Sequence, residues 1–294
     1  MAPAKSVVAE VCDIRCCQEL RFWRAVAAEM LGTFLFLFIL LSSTISWNDQ
    51  TPTILQISFA AGLAIATLVQ CFGHISGGHL NPAVTVAMLF TGKIGVFKSL
   101  FYIIAQCVGA IGGAALVFGV TPEEVRGNMG ANVLNAYVTA IQGFGIEFTL
   151  TFILVFTVFA TTDERNEISG SKPLAIGIAV IIAHLVGIGY TSVGINPART
   201  LGASVMMKMF DDHWVFWAGP LGGGVAAGWI YVFTFGRQFD TEKRETESEK
   251  YTEHHKYLES ISMDSANDRS TFVVEDAPGV KVDTVNLSNE VTTL

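Results

Sequence analysis

Six separate stretches of this chain, at about 25–46, 54–73, 97–120, 140–161, 173–190 and 214–236, run almost without charge for long enough to cross a bilayer. A helix rises 1.5 Å per residue, so ~20 residues cover the ~30 Å of hydrocarbon. The lipid interior offers no partner for an open peptide group, so such runs predict helices throughout. The expected fold class is therefore an all-α membrane protein with six transmembrane helices. A composition of 51% hydrophobic and 15% charged residues argues against an ordinary soluble domain.

Lys5, Arg15, Arg21 and Arg24 precede the first run, and no small-residue cleavage site follows a short apolar core, so a removable signal peptide fits poorly. Basic residues also gather at Lys93 and Lys98, at Arg165 and Lys172, and after the sixth run, whereas the loop 46–53 has none. That asymmetry predicts both termini on the cytoplasmic side. The net charge of -8 lies mostly beyond Arg237 and is no sign of a nucleic-acid partner. Cys12, Cys16 and Cys17 fall on the cytoplasmic side, and Cys71 and Cys107 fall in apolar runs, so no extracellular disulfide framework is expected. The first three are either free thiols or sites of palmitoylation.

The chain also repeats itself. Ala-Glu-Met-Leu-Gly-Thr-Phe around Glu29 is echoed by Ile-Glu-Phe-Thr-Leu-Thr-Phe around Glu147, and Gly62 and Gly177 each precede an Asn-Pro-Ala by 19 residues. The two motifs are Asn81-Pro82-Ala83 and Asn196-Pro197-Ala198. Each copy holds three spans, an odd number, so the second must insert upside down relative to the first. The segments 83–90 and 198–206 are apolar but too short to span, which predicts two re-entrant half-helices lining a path.

Proline at the first helical position sacrifices no hydrogen bond and asparagine before it is a favoured cap, so each Asn starts a half-helix and keeps its amide NH₂ as a donor toward the path. Inversion brings both positive helix ends to one level, which repels cations and protons while neutral water passes. Arg199 reads as a pore cation or a snorkelling side chain, and His184 as a pore-facing donor or a packed helix residue. Glu29 and Glu147 are expected to brace the half-helix loops, the other reading being a proton-coupled transporter. No nucleophile–base pair, metal-ligand cluster or nucleotide loop is present, so neither catalysis nor a cofactor is expected.

Ser-Gly-Gly-His-Leu-Asn-Pro-Ala-Val-Thr and Gly-Ile-Asn-Pro-Ala-Arg-Thr resemble the signature loops of the aquaporin, or major intrinsic protein, family. Gly-His-Ile-Ser-Gly-Gly-His, Tyr-Ile-Ile-Ala-Gln-Cys-Val-Gly-Ala and His-Trp-Val-Phe-Trp-Ala-Gly-Pro resemble its animal water-selective branch. The resemblance covers about 22–236 and implies a passive water channel, a homotetramer with one pore per subunit, and an outer constriction at Ala61, His184, Val193 and Arg199. Thr200 stands where the glycerol-conducting branch carries Asp. Two positions depart from the water-selective pattern: Ala61 replaces an aromatic, which implies a wider constriction leaking urea, glycerol or hydrogen peroxide, and Val193 replaces a mercury-sensitive cysteine. A broader solute channel, or a membrane junction protein with a residual pore, is the competing reading.

The chain thus divides into a cytoplasmic segment 1–21, a channel domain 22–236 with repeats at about 22–120 and 140–236, and a polar tail 237–294 expected to be disordered in the cytoplasm. Asn286 begins a glycosylation pattern on the wrong side of the membrane, so it is expected to stay unmodified. Thr292-Thr293-Leu294 match a C-terminal ligand of PDZ-type domains. The plasma membrane is the expected location.

Overall fold

The computed structural model describes residues 19–48, 50–163, 165–166, 170–236 and Thr252. The chain divides into two units, Met1–Gln238 and Phe239–Leu294. The readings of Cys12, Cys16, Cys17, Asn286, the tail and Thr292-Thr293-Leu294 lie outside the described residues.

The first unit is helical. In chain order it runs α1 (Leu20–Ser42), α2 (Ile54–Ser76), α3 (Pro82–Phe90), α4 (Val96–Val120), the single turn α5 (Glu123–Arg126), α6 (Ala140–Thr162), α7 (Lys172–Thr191), α8 (Pro197–Met207) and α9 (Val215–Ile230), which ends in a π-helical turn at Tyr231–Gly236. Six of these, α1, α2, α4, α6, α7 and α9 with its π turn, are long and apolar enough to cross a membrane. The other two expected elements, α3 and α8, are the short helices that open on Pro82 and Pro197.

The first span lies at 20–42 rather than 25–46. Arg21 and Arg24 sit exposed on its opening turns, where a charge costs little, so the helix starts before the uncharged run does. At its other end the Ser43 and Thr44 hydroxyls donate to the Leu40 and Leu41 carbonyls at 2.6 and 2.7 Å, competing with further helix. Spans α2 and α6 begin in capping boxes, Thr53 with Gln56 and Thr139 with Gln142.

Helix pairing follows the repeat. The most extensive contacts are α1 with α4, α6 with α9, and α2 with α7, and each half-helix packs on the third span of the opposite repeat, α8 on α4 and α3 on α9. Gly62 and Gly177, the sequence markers of the repeat, face one another where α2 crosses α7: a Cβ on either would overlap the other's carbonyl oxygen. Gly109 meets the Met30 carbonyl and Gly223 the Phe148 carbonyl, so the third span of each repeat closely approaches the first span one residue after that span's glutamate. At the far end of α6, Asp163 accepts from Tyr231 at 2.9 Å, and Arg165 donates to Asp163 and to the Gly236 carbonyl. The guanidinium beside Asp163 holds its carboxyl well below the usual carboxylate range.

Gly62→Leu should separate α2 from α7 and destabilise the protein by about 1–3 kcal/mol or more, as overpacking does. Gly119→Leu, at a glycine with open space beyond it, is the control. Thermal unfolding of the detergent-solubilised protein checks this, and equal melting of the two variants would contradict the close crossing.

Candidate functional site

The site begins with two buried carboxylates. Glu29 accepts hydrogen bonds from the Ser76 hydroxyl (2.6 Å), the His79 and Leu80 N–H groups (2.9 and 2.6 Å) and the Gln106 amide (2.8 Å). Glu147 accepts from the Thr191 hydroxyl (2.6 Å) and the Gly194 and Ile195 N–H groups (2.8 and 2.6 Å). Both side chains are fully buried. The hydroxyls at Ser76 and Thr191 accept in turn from the Gly78 and Val193 N–H groups, so their own protons point at the carboxylates. Each hydrogen-bond partner named here is thus a donor, and the carboxyl oxygens of both glutamates serve as acceptors.

These braces hold the peptide before each motif in a conformation it would not choose. Leu80 and Ile195, each immediately ahead of an asparagine, lie in the left-handed region at φ 49 and φ 45. Such a backbone costs on the order of 1–3 kcal/mol per residue and persists only where its surroundings over-determine it. Here the N–H of each goes to a glutamate and the carbonyl of each goes to an asparagine of the opposite repeat. Asn81 donates to the Ile195 carbonyl at 2.8 Å, and Asn196 donates to the Leu80 carbonyl at 2.9 Å.

Each asparagine also caps its own half-helix: Asn81 Oδ1 accepts from Ala83 N at 2.8 Å, and Asn196 Oδ1 from Ala198 N and Arg199 N at 3.0 and 3.2 Å. The amide donors expected to point wholly into the path are therefore shared. One N–H of each ties the two loops together, because an unpaired carbonyl at this depth would be expensive, and the second remains for a passing oxygen. The starts of α3 and α8 consequently meet end to end.

Both asparagines line a cavity of about 830 Å³, together with Val84, His184, Arg199, Lys93, Lys172 and His74. His184 and Arg199 are almost completely buried, at 2% and 3% exposure. The His184 Nδ1 lies 2.9 Å from the Val180 carbonyl, which can only accept, so Nδ1 carries the proton. In the neutral ring Nε2 is then an acceptor, not the donor expected from the sequence, and it has no protein partner. Arg199 gives Nη1 to Asn132 Oδ1 at 2.6 Å and leaves its Nε–H without one. One free acceptor and one free donor thus belong to residues of the same cavity wall.

Ala61 and Val193 are fully covered and contribute nothing to the lining of this cavity. Val193 packs toward Gly187. Of the four residues expected at the constriction, the cavity therefore brings together His184 and Arg199 alone.

Asn132 escaped the sequence reading. Its Oδ1 accepts from Arg199 and from the Thr200 hydroxyl (2.8 Å), and its amide donates to the Thr191 carbonyl at 3.4 Å. Nothing local marks it, since it lies in the uncharged stretch 127–139, one of three asparagines there. Ser76 and Thr191 were also missed, although a hydroxyl residue stands five positions before each motif asparagine, a signal available to anyone aligning the two copies.

The Major intrinsic protein family model matches residues 16–231. The chain is 45% identical over 267 residues to Aquaporin-4 of Mus musculus, covering 88% of this chain and 82% of the relative. It is 47% identical over 217 residues to Aquaporin-2 of Homo sapiens, covering 74% of this chain and 80% of the relative. The X-ray structure of the aquaglyceroporin from Plasmodium falciparum superposes with a TM-score of 0.64 at 23% identity, over 71% of this chain and 95% of that one, a likeness of fold.

Asn132→Ala should free Arg199 from its side-chain partner among the described residues, removing a hydrogen bond to a charged group that typically contributes ~1.5–3 kcal/mol. The urea-to-water permeability ratio of reconstituted protein should rise severalfold, while Asn132→Asp, which keeps the acceptor, should leave it near the parent value. An unchanged ratio in Asn132→Ala would remove the positioning role.

Proposed function

The chain belongs to the major intrinsic protein family, and from that premise we propose that it is a channel, not an enzyme, passing water down an osmotic gradient across a membrane while excluding ions and protons. The observation that carries the proposal is the pair of crossed amide bonds, Asn81 to Ile195 and Asn196 to Leu80, which set two helix N-termini against each other in the wall of one cavity. Each N-terminus carries roughly half a positive charge, so a cation meets repulsion from both sides at this level. A neutral water meets the remaining amide N–H groups and accepts from them through its oxygen. Its two hydrogens then face away along the path, which breaks the run of identically ordered waters that would relay a proton. The residues we assign to this step are Asn81, Pro82, Ala83, Asn196, Pro197 and Ala198, with Glu29 and Glu147 as braces.

We assign selection at the second level to His184 and Arg199, with Ala61 and Val193 as covered neighbours. Arg199 adds a fixed positive charge and a free N–H donor; the neutral His184 ring adds an acceptor. A water can satisfy both, accepting from one and donating to the other, whereas a cation without lone pairs cannot. The alanine at position 61 supports a minor leak of small neutral solutes, because it offers no aromatic wall. The channel corresponds to 22–236, with 1–21 and 237–294 as cytoplasmic ends in the plasma membrane and four copies per assembly, as the relatives' family and the placement of basic residues suggest.

Osmotic shrinkage of liposomes carrying the purified chain should be much faster than that of empty liposomes, with no matching proton or sodium flux. Ala61→Phe should lower the urea and glycerol permeability relative to water; an unchanged ratio would remove the leak from the proposal, and water flux at the empty-liposome level would remove the proposal itself. Thr292-Thr293-Leu294 serve on this reading as a carboxyl-terminal strand for a PDZ-type scaffold. Capture of the full chain on immobilised PDZ domains should disappear when Leu294 is deleted, and persistence without it would exclude the assignment.

A further inference from the structure

A second cavity, of about 910 Å³, lies outside the channel at the end of the bundle where the chain enters α1. Arg21 and Arg24 of α1 and Lys98 of α4 line it together with Leu31, Phe72 and Ile75. The two helix starts are pinned side by side by a knot of rings, Phe22 and Trp23 each meeting Phe101 edge-on at 5.4 and 5.5 Å. Neither start has a side-chain cap hydrogen bond or an acidic residue within its first turn; the N-cap of α1 is Glu19 and that of α4 is Gly95. Lys98 is held with its ammonium 5.4 Å from the centre of the Tyr102 ring. Among the described residues, none of the three cations is paired with a carboxylate, and Glu19, exposed at the start of α1, makes no ion pair with them. A basic rim stands over an apolar floor whose Leu31 and Ile75 are 48% and 40% exposed.

We propose that this groove is a binding site for an anionic phospholipid of the leaflet on the side of the chain's N-terminus. The phosphate and acidic headgroup engage Arg21, Arg24 and Lys98, and an acyl chain runs over Leu31, Phe72 and Ile75 into the bilayer. Charge complementarity selects this occupant. A soluble anion would leave the apolar floor in contact with nothing of its own kind, and a zwitterionic lipid would set its ammonium against three cations. The groove also borders the channel, since Gly73, His74 and Gly77 contribute to the walls of both cavities. A lipid seated here therefore rests against the C-terminal end of α2, whose Ser76 holds Glu29.

The test is native mass spectrometry of the full-length chain with phosphatidylserine, phosphatidylglycerol and phosphatidylcholine of matched acyl chains, and with inorganic phosphate alone. The two anionic lipids should be retained and phosphatidylcholine about tenfold less or weaker still. The variant Arg21→Gln/Arg24→Gln/Lys98→Gln should lose anionic-lipid retention by about tenfold or more. Lys208→Gln, remote from the groove, should not. Water permeability of the triple variant in phosphatidylcholine liposomes should match the parent, showing that it folds. Should the triple variant not be recovered folded, Arg24→Gln, on an exposed position, should show a smaller loss in the same direction. Equal retention of phosphatidylcholine, undiminished retention by the folded variants, or binding of inorganic phosphate with no preference for lipid would each overturn the proposal.

Discussion

Two buried glutamates carry the structure's central burden. A path through a bilayer needs polar backbone at membrane depth, and polar backbone at that depth needs partners. Glu29 and Glu147 supply them from the first span of each repeat, each taking two consecutive loop N–H groups and one hydroxyl. A buried carboxylate is itself costly to desolvate, and three or four charge-assisted hydrogen bonds of ~1.5–3 kcal/mol each are what offset that. Loop and carboxylate thus make each other tolerable. Removing either leaves the other as an unsatisfied group in a low-dielectric interior.

From this mutual dependence the rest follows in steps. The fixed loops aim the carbonyls of Leu80 and Ile195 across the symmetry axis, and the asparagine amides of the opposite repeats close on them. That closure draws the N-termini of α3 and α8 together, where the positive potentials of the two helix ends add. The glycine contacts, Gly62 with Gly177 and Gly109 and Gly223 against the carbonyls of Met30 and Phe148, bring the surrounding spans close enough for the loops to be covered. The two half-helices match in how they start and differ in the charge they bring to the cavity. Three residues after the asparagine, repeat one carries Val84 and repeat two carries Arg199, and both line the cavity. One residue further on, Thr85 and Thr200 correspond. Thr85 donates to the Asn81 carbonyl within its own half-helix, whereas Thr200 turns outward to the same Asn132 oxygen that holds Arg199.

Much of this was legible in the residues because it is written in local chemistry. Run length gave the spans, Asn-Pro gave the half-helix starts, and the matched glutamates had few roles open to them other than bracing a loop. What was illegible depends on where side chains point after folding. The direction of the His184 proton is decided by the Val180 carbonyl one turn earlier, and no sequence rule reports whether that carbonyl is free to accept. Asn132 acts across 67 residues from Arg199, through a loop with no periodic pattern. The covering of Ala61 and Val193 depends on helix packing that a motif alignment does not carry. The early start of α1 reflects the tolerance of exposed arginines at a helix end, which a count of uncharged residues cannot see.

The two loops also show that an inverted copy need not be an identical one. Ahead of Leu80, repeat one uses Gly77 and Gly78 at positive φ, while repeat two places Ser192 at φ 57 and Val193 at φ 53 in the corresponding positions. Glycine adopts that backbone freely, whereas a β-branched residue resists it. The second loop must therefore be restrained from more directions than the first. Indeed the Ser192 hydroxyl donates to the Val133 carbonyl at 3.2 Å, Asn135 binds the Gly189 carbonyl at 3.0 Å, and Asn132 reaches Thr191, so the stretch 127–139 is strapped across it. The stretch that steadies this strained loop is the one that holds Arg199, so backbone strain and cation placement in repeat two are two demands met by one segment. Repeat one has no cation to place and relies on glycine instead.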